Sequence, residues 1–130
     1  MSHTERLAIE TAAAPAAIGP YSQAVRAGAL LFVSGQIPLD PVTGDVIGRE
    51  VEDQTHRVMQ SLGAILEAAG ASYDQVVRST IFLTDLRDFS AVNNAYGSYF
   101  SHPAPARATV EVSGLPKGVL VEIDAIAHVG

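Results

Sequence analysis

Two stretches of the chain decide the predicted fold, namely PARATVEV (Pro105–Val112) and LVEIDAI (Leu120–Ile126). Each alternates polar and apolar residues, which is the two-residue period of a half-buried β-strand. Between them, the glycine and proline of Gly114–Lys117 are typical of a turn that reverses the chain direction. The sequence therefore predicts a β-hairpin.

The apolar pattern also predicts the register of this hairpin. Opposed residues of an antiparallel pair lie on the same face, and their residue numbers add up to a constant sum. Only an odd sum places all the valines on one face without burying the unpaired carboxylate of Glu122 among them. With Gly114–Lys117 as the loop, Thr109 lies across from Glu122. Arg107 then lies across from Asp124, so a guanidinium, a hydroxyl and a carboxylate are expected on one face. The alternative interpretation is a solvated strand face with surface ion pairs.

The composition predicts one ordinary globular domain over residues 1–130. Hydrophobic residues make up 48% and charged residues 17% of the 130 residues, which is typical of a folded chain with a real core. The formal net charge of −6 argues against a nucleic-acid partner, which would require a basic face. The absence of cysteine excludes a disulfide, a thiolate nucleophile and a cysteine-ligated metal.

The beginning of the chain does not have the pattern of a signal peptide. Met1–Arg6 lack the apolar run of a signal peptide, and no segment approaches the length of a bilayer-spanning helix. A soluble cytoplasmic protein without a membrane partner is the expectation.

The remaining pattern predicts an α+β fold. Its predicted elements are a short first strand (6–10), a hairpin (22–27 and 30–34), an amphipathic helix (51–69) stopped by Gly70, a strand (75–83) and a second helix (88–100). The two helices are expected to cover one face of a mixed, mostly antiparallel sheet. The second face is expected to carry Arg107 and Glu122, and to be covered by another subunit because it is partly apolar.

Most familiar catalytic signatures are missing. The four histidines show no metal-ligand spacing, and the chain contains no phosphate loop, dinucleotide fingerprint or nucleophile elbow. Two further residues each allow a structural and a functional interpretation. Tyr21 is a packing residue or a phenol at a pocket rim, and Asn93 is a structural amide or a site residue. Gly35 permits a close backbone approach to a ligand or to another chain. The remaining groups suit a cofactor-free reaction on a small carboxylate-bearing substrate.

Several longer motifs carry a resemblance that runs nearly end to end. They are IGPYSQA (18–24), SGQIPLDP (34–41) with Thr43-Gly44, Val92-Asn93 with Tyr96, PAR (105–107), VEV (110–112), LPK (115–117) and VEI (121–123). The chain resembles the RidA/YjgF family of reactive-intermediate imine deaminases. The resemblance implies a chorismate-mutase-like protomer, a homotrimer with sites between subunits, and cofactor-free hydrolysis of 2-imino acids such as 2-iminopropanoate and 2-iminobutanoate to 2-oxo acids and ammonia.

The resemblance also implies roles for individual residues. Arg107 would grip the substrate carboxylate through two parallel hydrogen bonds, a geometry that lysine cannot copy. Glu122 would hold the attacking water and move protons, and Thr109, where many relatives carry cysteine, would face the reacting carbon. The residues expected to line the cleft are Tyr21, Ser34, Gly35 and Asn93.

Other functions remain compatible with the sequence. A protein of the same fold could act on a different enamine, of the aminomuconate or aminoacrylate type. A non-catalytic ligand-binding or chaperone-like trimer, or a ribonuclease, belongs to a different class. The acidic composition weighs against RNA, and the presence of both Arg107 and Glu122 weighs against an inert binder.

Overall fold

The computed structural model describes residues 5–130. Its strands and helices, in chain order, are β1 (Arg6–Ile9), β2 (Ala24–Ala27), β3 (Leu30–Gln36), α1 (Val51–Ala68), β4 (Val76–Leu83), α2 (Phe89–Gly97), β5 (Ala106–Glu111) and β6 (Val121–His128). The order of elements is the one that the sequence predicts.

The six strands form one mixed sheet in the order β1-β2-β3-β6-β4-β5. β4 and β5 are parallel, and every other neighbouring pair is antiparallel. The helices pack on one face, where α1 contacts β3, β6 and α2. The predicted α+β arrangement with an uncovered second face is therefore confirmed.

Helix α1 supplies most of the helical share of the core. Its apolar residues recur at the 3.6-residue period, and Val58, Ile65 and Leu66 are each fully buried. The helix ends before Gly70, whose φ of 75° lies in the left-handed region that glycine tolerates. No helix within residues 5–130 is both long and apolar enough to cross a membrane.

The predicted first hairpin is also confirmed. β2 and β3 pair from Ala24 opposite Val33 to Ala27 opposite Leu30. Gly28 turns the chain with a φ of 60°, a conformation that costs other residues more.

The two faces of β6 differ sharply in their surroundings. Its inward side chains are 0–3% exposed and lie in the core under the helices: Val121, Ile123, Ala125 and Ala127. Glu122 and Asp124 alternate with them and therefore lie on the other face. We call this uncovered side the open face. It also exposes apolar groups, since Phe32 is 44% and Val110 is 40% exposed.

The predicted C-terminal hairpin is wrong. β4 lies between β5 and β6, so the two strands are not neighbours. Arg107 pairs with Ser79 of β4, and Glu122 pairs with Phe82 on the opposite edge of β4. The predicted opposition of Thr109 to Glu122, and of Arg107 to Asp124, does not occur.

The reason lies in the connections on either side of β5. β4, α2 and β5 form a βαβ crossover, which is the arrangement that joins two parallel strands. The later segment from 112 to 120 passes β4 and returns on its far side, a distance of about two strand spacings, or ~10 Å. A period of two identifies a strand, but it does not identify the strand's neighbours.

Candidate active site

Arg107 lies on the edge strand β5 and points toward α2. Its Cζ atom is 5.5 Å from the ring centroid of Phe89 and 5.3 Å from that of Tyr96. Both distances are within the range in which an aromatic face attracts a cation. Within residues 5–130, the one ion pair joins Arg87 to Asp85, so no carboxylate neutralises Arg107. Its guanidinium is therefore held in place with its charge available to an anion.

Thr109 is the next residue of β5 on the same face as Arg107. Its half-buried side chain carries a hydroxyl oxygen that is buried without a hydrogen-bond partner. An unpaired buried hydroxyl costs free energy unless another group completes it. A ligand beside Arg107 could supply that partner.

Helix α2 adds further groups to this side of the sheet. Asn93 is half-buried and lies one turn after Phe89, so the two residues share a helix face. We call Phe89, Asn93, Tyr96, Arg107 and Thr109 the arginine half-site. The sequence pattern did not predict the contact of Phe89 and Tyr96 with Arg107. Their seven-residue spacing, which returns to the same face after two turns, was the available signal.

Glu122 lies on the open face against the backbone of β3. A β-bulge between Val33 and Gln36 interrupts that strand and carries both Ser34 and Gly35. A Cβ atom at Gly35 would collide with the Glu122 carboxylate. Glycine is therefore needed at position 35 for the carboxylate to lie where it does. We call Ser34, Gly35 and Glu122 the glutamate half-site.

The protonation of Glu122 is shifted by its surroundings. Burial raises the pKa of its carboxyl above the usual range, and the negative charge of Asp124 raises it further. Asp124 itself accepts a hydrogen bond of 2.9 Å from the backbone N–H of Thr80. A carboxyl with a raised pKa holds a proton more strongly, which suits proton transfer near neutral pH.

The two half-sites lie on opposite faces of the sheet. Arg107 shares its face with Ser79 and Ala125, whereas Glu122 alternates with Ala125 along β6. The prediction that Arg107, Thr109 and Glu122 share one face of a single chain is therefore wrong. It assumed that β5 and β6 are adjacent, whereas the two ladders of β4 bring Arg107, through Ser79, level with Ala125 and not with Asp124.

Ser34 and Tyr21 lie close to each other in the chain fold. The Ser34 hydroxyl donates a 2.6 Å hydrogen bond to the carbonyl of Ser22, the residue after Tyr21. Tyr21 is 54% exposed, and its hydroxyl accepts a hydrogen bond of 3.3 Å from the backbone N–H of Ile18. The phenol is thus on the surface and not in the core.

Two grooves of the chain lie away from Arg107 and Glu122. One of about 740 Å³ includes Tyr21 and Ser22 in its lining, and another of about 490 Å³ lies beside Tyr73 and Phe100. Neither is lined by Arg107 or Glu122. Within residues 5–130, no group of three or more histidine, aspartate or glutamate side chains could hold a metal ion.

Fold and half-sites together define a small α+β protein with an unneutralised arginine on an edge strand and a desolvated carboxyl on the open face. The family model described as Endoribonuclease L-PSP matches residues 11–129. The chain belongs to this family, which is the RidA/YjgF family that its motifs resemble.

Relatives match the chain along nearly its whole length. A RutC family protein of Pyrococcus horikoshii is 52% identical over 120 residues, which are 92% of this chain and 95% of that protein. The 2-iminobutanoate/2-iminopropanoate deaminase of Capra hircus is 47% identical over 130 residues, 100% of this chain and 95% of that enzyme. The crystal structure of E. coli TdcF with bound serine superposes with a TM-score of 0.88 at 45% identity, covering 94% of this chain and 98% of that one.

Proposed function

We propose that this protein hydrolyses reactive 2-imino acids, such as 2-iminopropanoate and 2-iminobutanoate, to 2-oxo acids and ammonia. The observation that carries the proposal is Arg107, an arginine without an acidic partner held between two aromatic rings. The goat enzyme named for this reaction is 47% identical to the chain.

The Arg107 guanidinium is suited to bind the substrate's carboxylate. Its planar fork matches a carboxylate with two parallel hydrogen bonds. The related E. coli TdcF was crystallised with bound serine, an α-amino acid of the same size class as these imino acids. The Thr109 hydroxyl would complete its hydrogen bonding on the same ligand.

Glu122 is suited to move the protons of the reaction. Water adds to the carbon of the protonated C=N bond and gives a carbinolamine, while Glu122 accepts a proton from that water. Glu122 returns this proton to the nitrogen, which makes the amine a leaving group. The C–N bond then breaks and ammonia departs, while the carbinol hydroxyl passes its proton to Glu122 and becomes the new carbonyl. Glu122 releases that proton to ammonia or solvent. The raised pKa of Glu122 brings it toward the pH at which one group both accepts and returns a proton.

Both half-sites can act on one substrate only if two copies of the chain meet. Arg107 and Glu122 lie on opposite faces, so one copy would present its arginine half-site to the glutamate half-site of its neighbour. Such a contact joins two different surfaces, and it closes into a ring when its rotation permits. We propose the homotrimer of the family resemblance as this ring. Tyr21, Ser34, Gly35 and Asn93 would then line the cleft.

The open face supports assembly independently of the chemistry. Phe32 and Val110 expose 44% and 40% of their surface on it, and Glu122 is half-buried beside the bulge of β3. Covering such apolar groups with a second copy would stabilise the assembly through the hydrophobic effect. Light scattering at micromolar concentration tests this, and a monomer would contradict it.

A dehydratase-coupled assay tests the reaction itself. Serine or threonine is fed to a pyridoxal-phosphate dehydratase, and the appearance of the 2-oxo acid is followed with and without this protein. Faster release of ammonia and 2-oxo acid is expected, and an unchanged rate would contradict the proposal. A panel of other enamines, including aminomuconate-type compounds, would rank the alternative substrates.

Complementation between variants tests the shared site. Arg107→Ala and Glu122→Gln chains are co-expressed with different tags, and assemblies that carry both tags are isolated. In a mixed trimer about one site in three combines an intact Arg107 with an intact Glu122. About a third of the wild-type activity is therefore expected, although each variant alone is inactive. No activity in mixed assemblies would place both groups within one chain and overturn the shared site.

The name of the matching family model raises a second activity, that of an endoribonuclease. The composition of this chain does not favour that activity, because 14 acidic residues outnumber eight basic ones and phosphate backbones are bound by basic surfaces. Incubation with a labelled single-stranded RNA tests it, and no cleavage is expected.

A further inference from the structure

Tyr96 connects the arginine half-site to the core of the protein. Its side chain is 4% exposed, and its hydroxyl shares a short hydrogen bond with the hydroxyl of Ser79, which is 1% exposed. Its ring centroid lies 5.3 Å from the Cζ atom of Arg107. One side chain thus contacts both a buried polar group and the candidate carboxylate-binding group.

The backbone places these three residues together. Ser79 and Arg107 are direct partners in the parallel ladder of β4 and β5, so their side chains leave the sheet on the same face. Helix α2, which connects those two strands, brings Tyr96 above both of them. The position of the guanidinium therefore depends on how α2 is fastened to β4.

We propose that Tyr96 is a positioning residue for Arg107, with Ser79 as its anchor. The proposal deepens the proposed function and rests on it, since it assumes that Arg107 binds a substrate carboxylate. A free arginine side chain loses rotamer freedom when it grips an anion. A ring that already holds the guanidinium removes part of that cost before the ligand arrives.

The chemistry of the contact fits this role. An aromatic face attracts a guanidinium without neutralising it, so Arg107 keeps its full charge for the ligand, which an acidic partner would compete for. Burial raises the pKa of the Tyr96 phenol, so the phenol stays protonated and neutral while its hydroxyl shares a hydrogen bond with Ser79.

Phe89 differs from Tyr96 in a way that guides the experiment. Its ring also lies near Arg107, at 5.5 Å, but the side chain is 40% exposed and is free to touch a ligand itself. A change in ligand affinity on replacing Phe89 would therefore combine the loss of a direct contact with the ligand and the loss of a contact that positions Arg107. Tyr96 is buried, so its effect on a ligand passes through Arg107.

The test compares three variants of the assembled protein. Tyr96→Leu removes the ring, Tyr96→Phe keeps the ring and removes the hydroxyl, and Tyr99→Leu is the matched control. Tyr99 packs on Tyr73 at 5.3 Å between centroids and its hydroxyl lies 2.8 Å from Nδ1 of His56, away from Arg107. For each variant, the Kd for pyruvate is measured by NMR titration, together with KM, kcat and the Tm.

Tyr96→Leu is expected to raise both the pyruvate Kd and the KM by about tenfold, while kcat changes by less than about twofold. Tyr96→Phe is expected to raise the Kd by only about two- to fivefold, because the ring remains and only the hydrogen bond to Ser79 is lost. Tyr99→Leu is expected to lower the Tm comparably and leave the Kd unchanged. An unchanged Kd in Tyr96→Leu, or an equal increase in Tyr99→Leu, would overturn the positioning role.

A variant of Ser79 keeps the proposal testable if Tyr96→Leu does not fold. Ser79→Ala removes the anchor and should raise the pyruvate Kd by about two- to fivefold, and an unchanged Kd would contradict the anchor. Pyruvate binding needs no turnover, so the two proposals fail separately. If Tyr96→Leu binds pyruvate more weakly but the wild type hydrolyses no imine, only the proposed deaminase activity is rejected. If the wild type hydrolyses imines but Tyr96→Leu binds pyruvate as the wild type does, only the positioning role is rejected.

Discussion

Arg107 and Glu122 lie on opposite faces of the same sheet, with β4 between their strands. Each has the environment that its chemistry needs, aromatic rings around the cation and a glycine bulge beside the carboxyl. Neither is close enough to help the other within one chain. A substrate that needs both groups would therefore need two copies of the chain.

Replacing Arg107 should abolish the reaction and leave the fold intact. Arg107→Ala is expected to lower kcat/KM by at least about 100-fold, because the substrate carboxylate loses a charge-assisted, two-point contact. Arg107→Lys should recover little, since lysine lacks the fork. Arg87→Ala is the matched control, because Arg87 pairs only with Asp85 at 2.8 Å on the surface. A fully active Arg107→Ala with native circular dichroism would remove the carboxylate-binding role.

Glu122→Gln should separate binding from turnover. The amide keeps the size of the carboxyl and cannot accept a proton at neutral pH, so kcat is expected to fall by about 10²- to 10⁴-fold. The Kd for pyruvate should change little. Glu67→Gln on the exposed side of α1 serves as the control. Normal turnover in Glu122→Gln would assign the proton transfer to another group.

The difference in stability between Glu122→Gln and the wild type should grow as the pH rises. Burial raises the folded-state pKa of Glu122, so the folded protein binds this proton more strongly than the unfolded chain does. This preference for the proton stabilises the folded wild type fully below the pKa that Glu122 has in the unfolded chain. The stabilisation is lost as the pH rises through the pKa that Glu122 has in the folded protein. Above that range the wild type carries a desolvated charge that the amide variant lacks. Chemical denaturation should therefore find Glu122→Gln more stable than the wild type at pH 7, with the difference shrinking toward pH 4. A difference independent of pH would contradict the raised pKa.

Gly35→Ala should impair the reaction more than the fold. The new Cβ would meet the carboxylate end of Glu122, which is flexible and can move away, so the free energy of unfolding should change by less than about 1 kcal/mol. Displacing a catalytic group by about 1 Å can cost ~100-fold in rate. Gly114→Ala is the control, because an added Cβ there meets nothing within 4 Å. Wild-type kcat in Gly35→Ala would show that the position of Glu122 is not critical.

A charge on the open face should prevent assembly. Phe32 is 44% exposed and pairs across the sheet with Val25 and Ile126. In an assembly, Phe32→Asp would bury an unpaired carboxylate against a second copy. Light scattering is expected to give the mass of a single chain, with unchanged circular dichroism and no imine hydrolysis. Val42→Asp, at a loop residue 88% exposed, should change none of these. An active, fully assembled Phe32→Asp would show that the open face is not an interface.

Local patterns predicted the elements well. The helical period predicted residues 51–69, and α1 spans Val51–Ala68. The glycine between two apolar runs predicted the β2–β3 hairpin, which the structure confirms. These features depend on neighbours within a few residues, so the local sequence contains the information that determines them.

The sequence by itself determined the kinds of elements, their order, the one-sided packing of the helices and the family to which the motifs belong. Only the tertiary structure decided that β4 separates β5 from β6, which moves Arg107 and Glu122 to opposite faces, and that Phe89 and Tyr96 surround the guanidinium. The physical reason is that alternation constrains which residues share a face of one strand, whereas strand order depends on contacts between residues far apart in the chain. The registers of β4 with its two neighbours then decide which side chains share a face, and no local pattern of β5 or β6 contains that information.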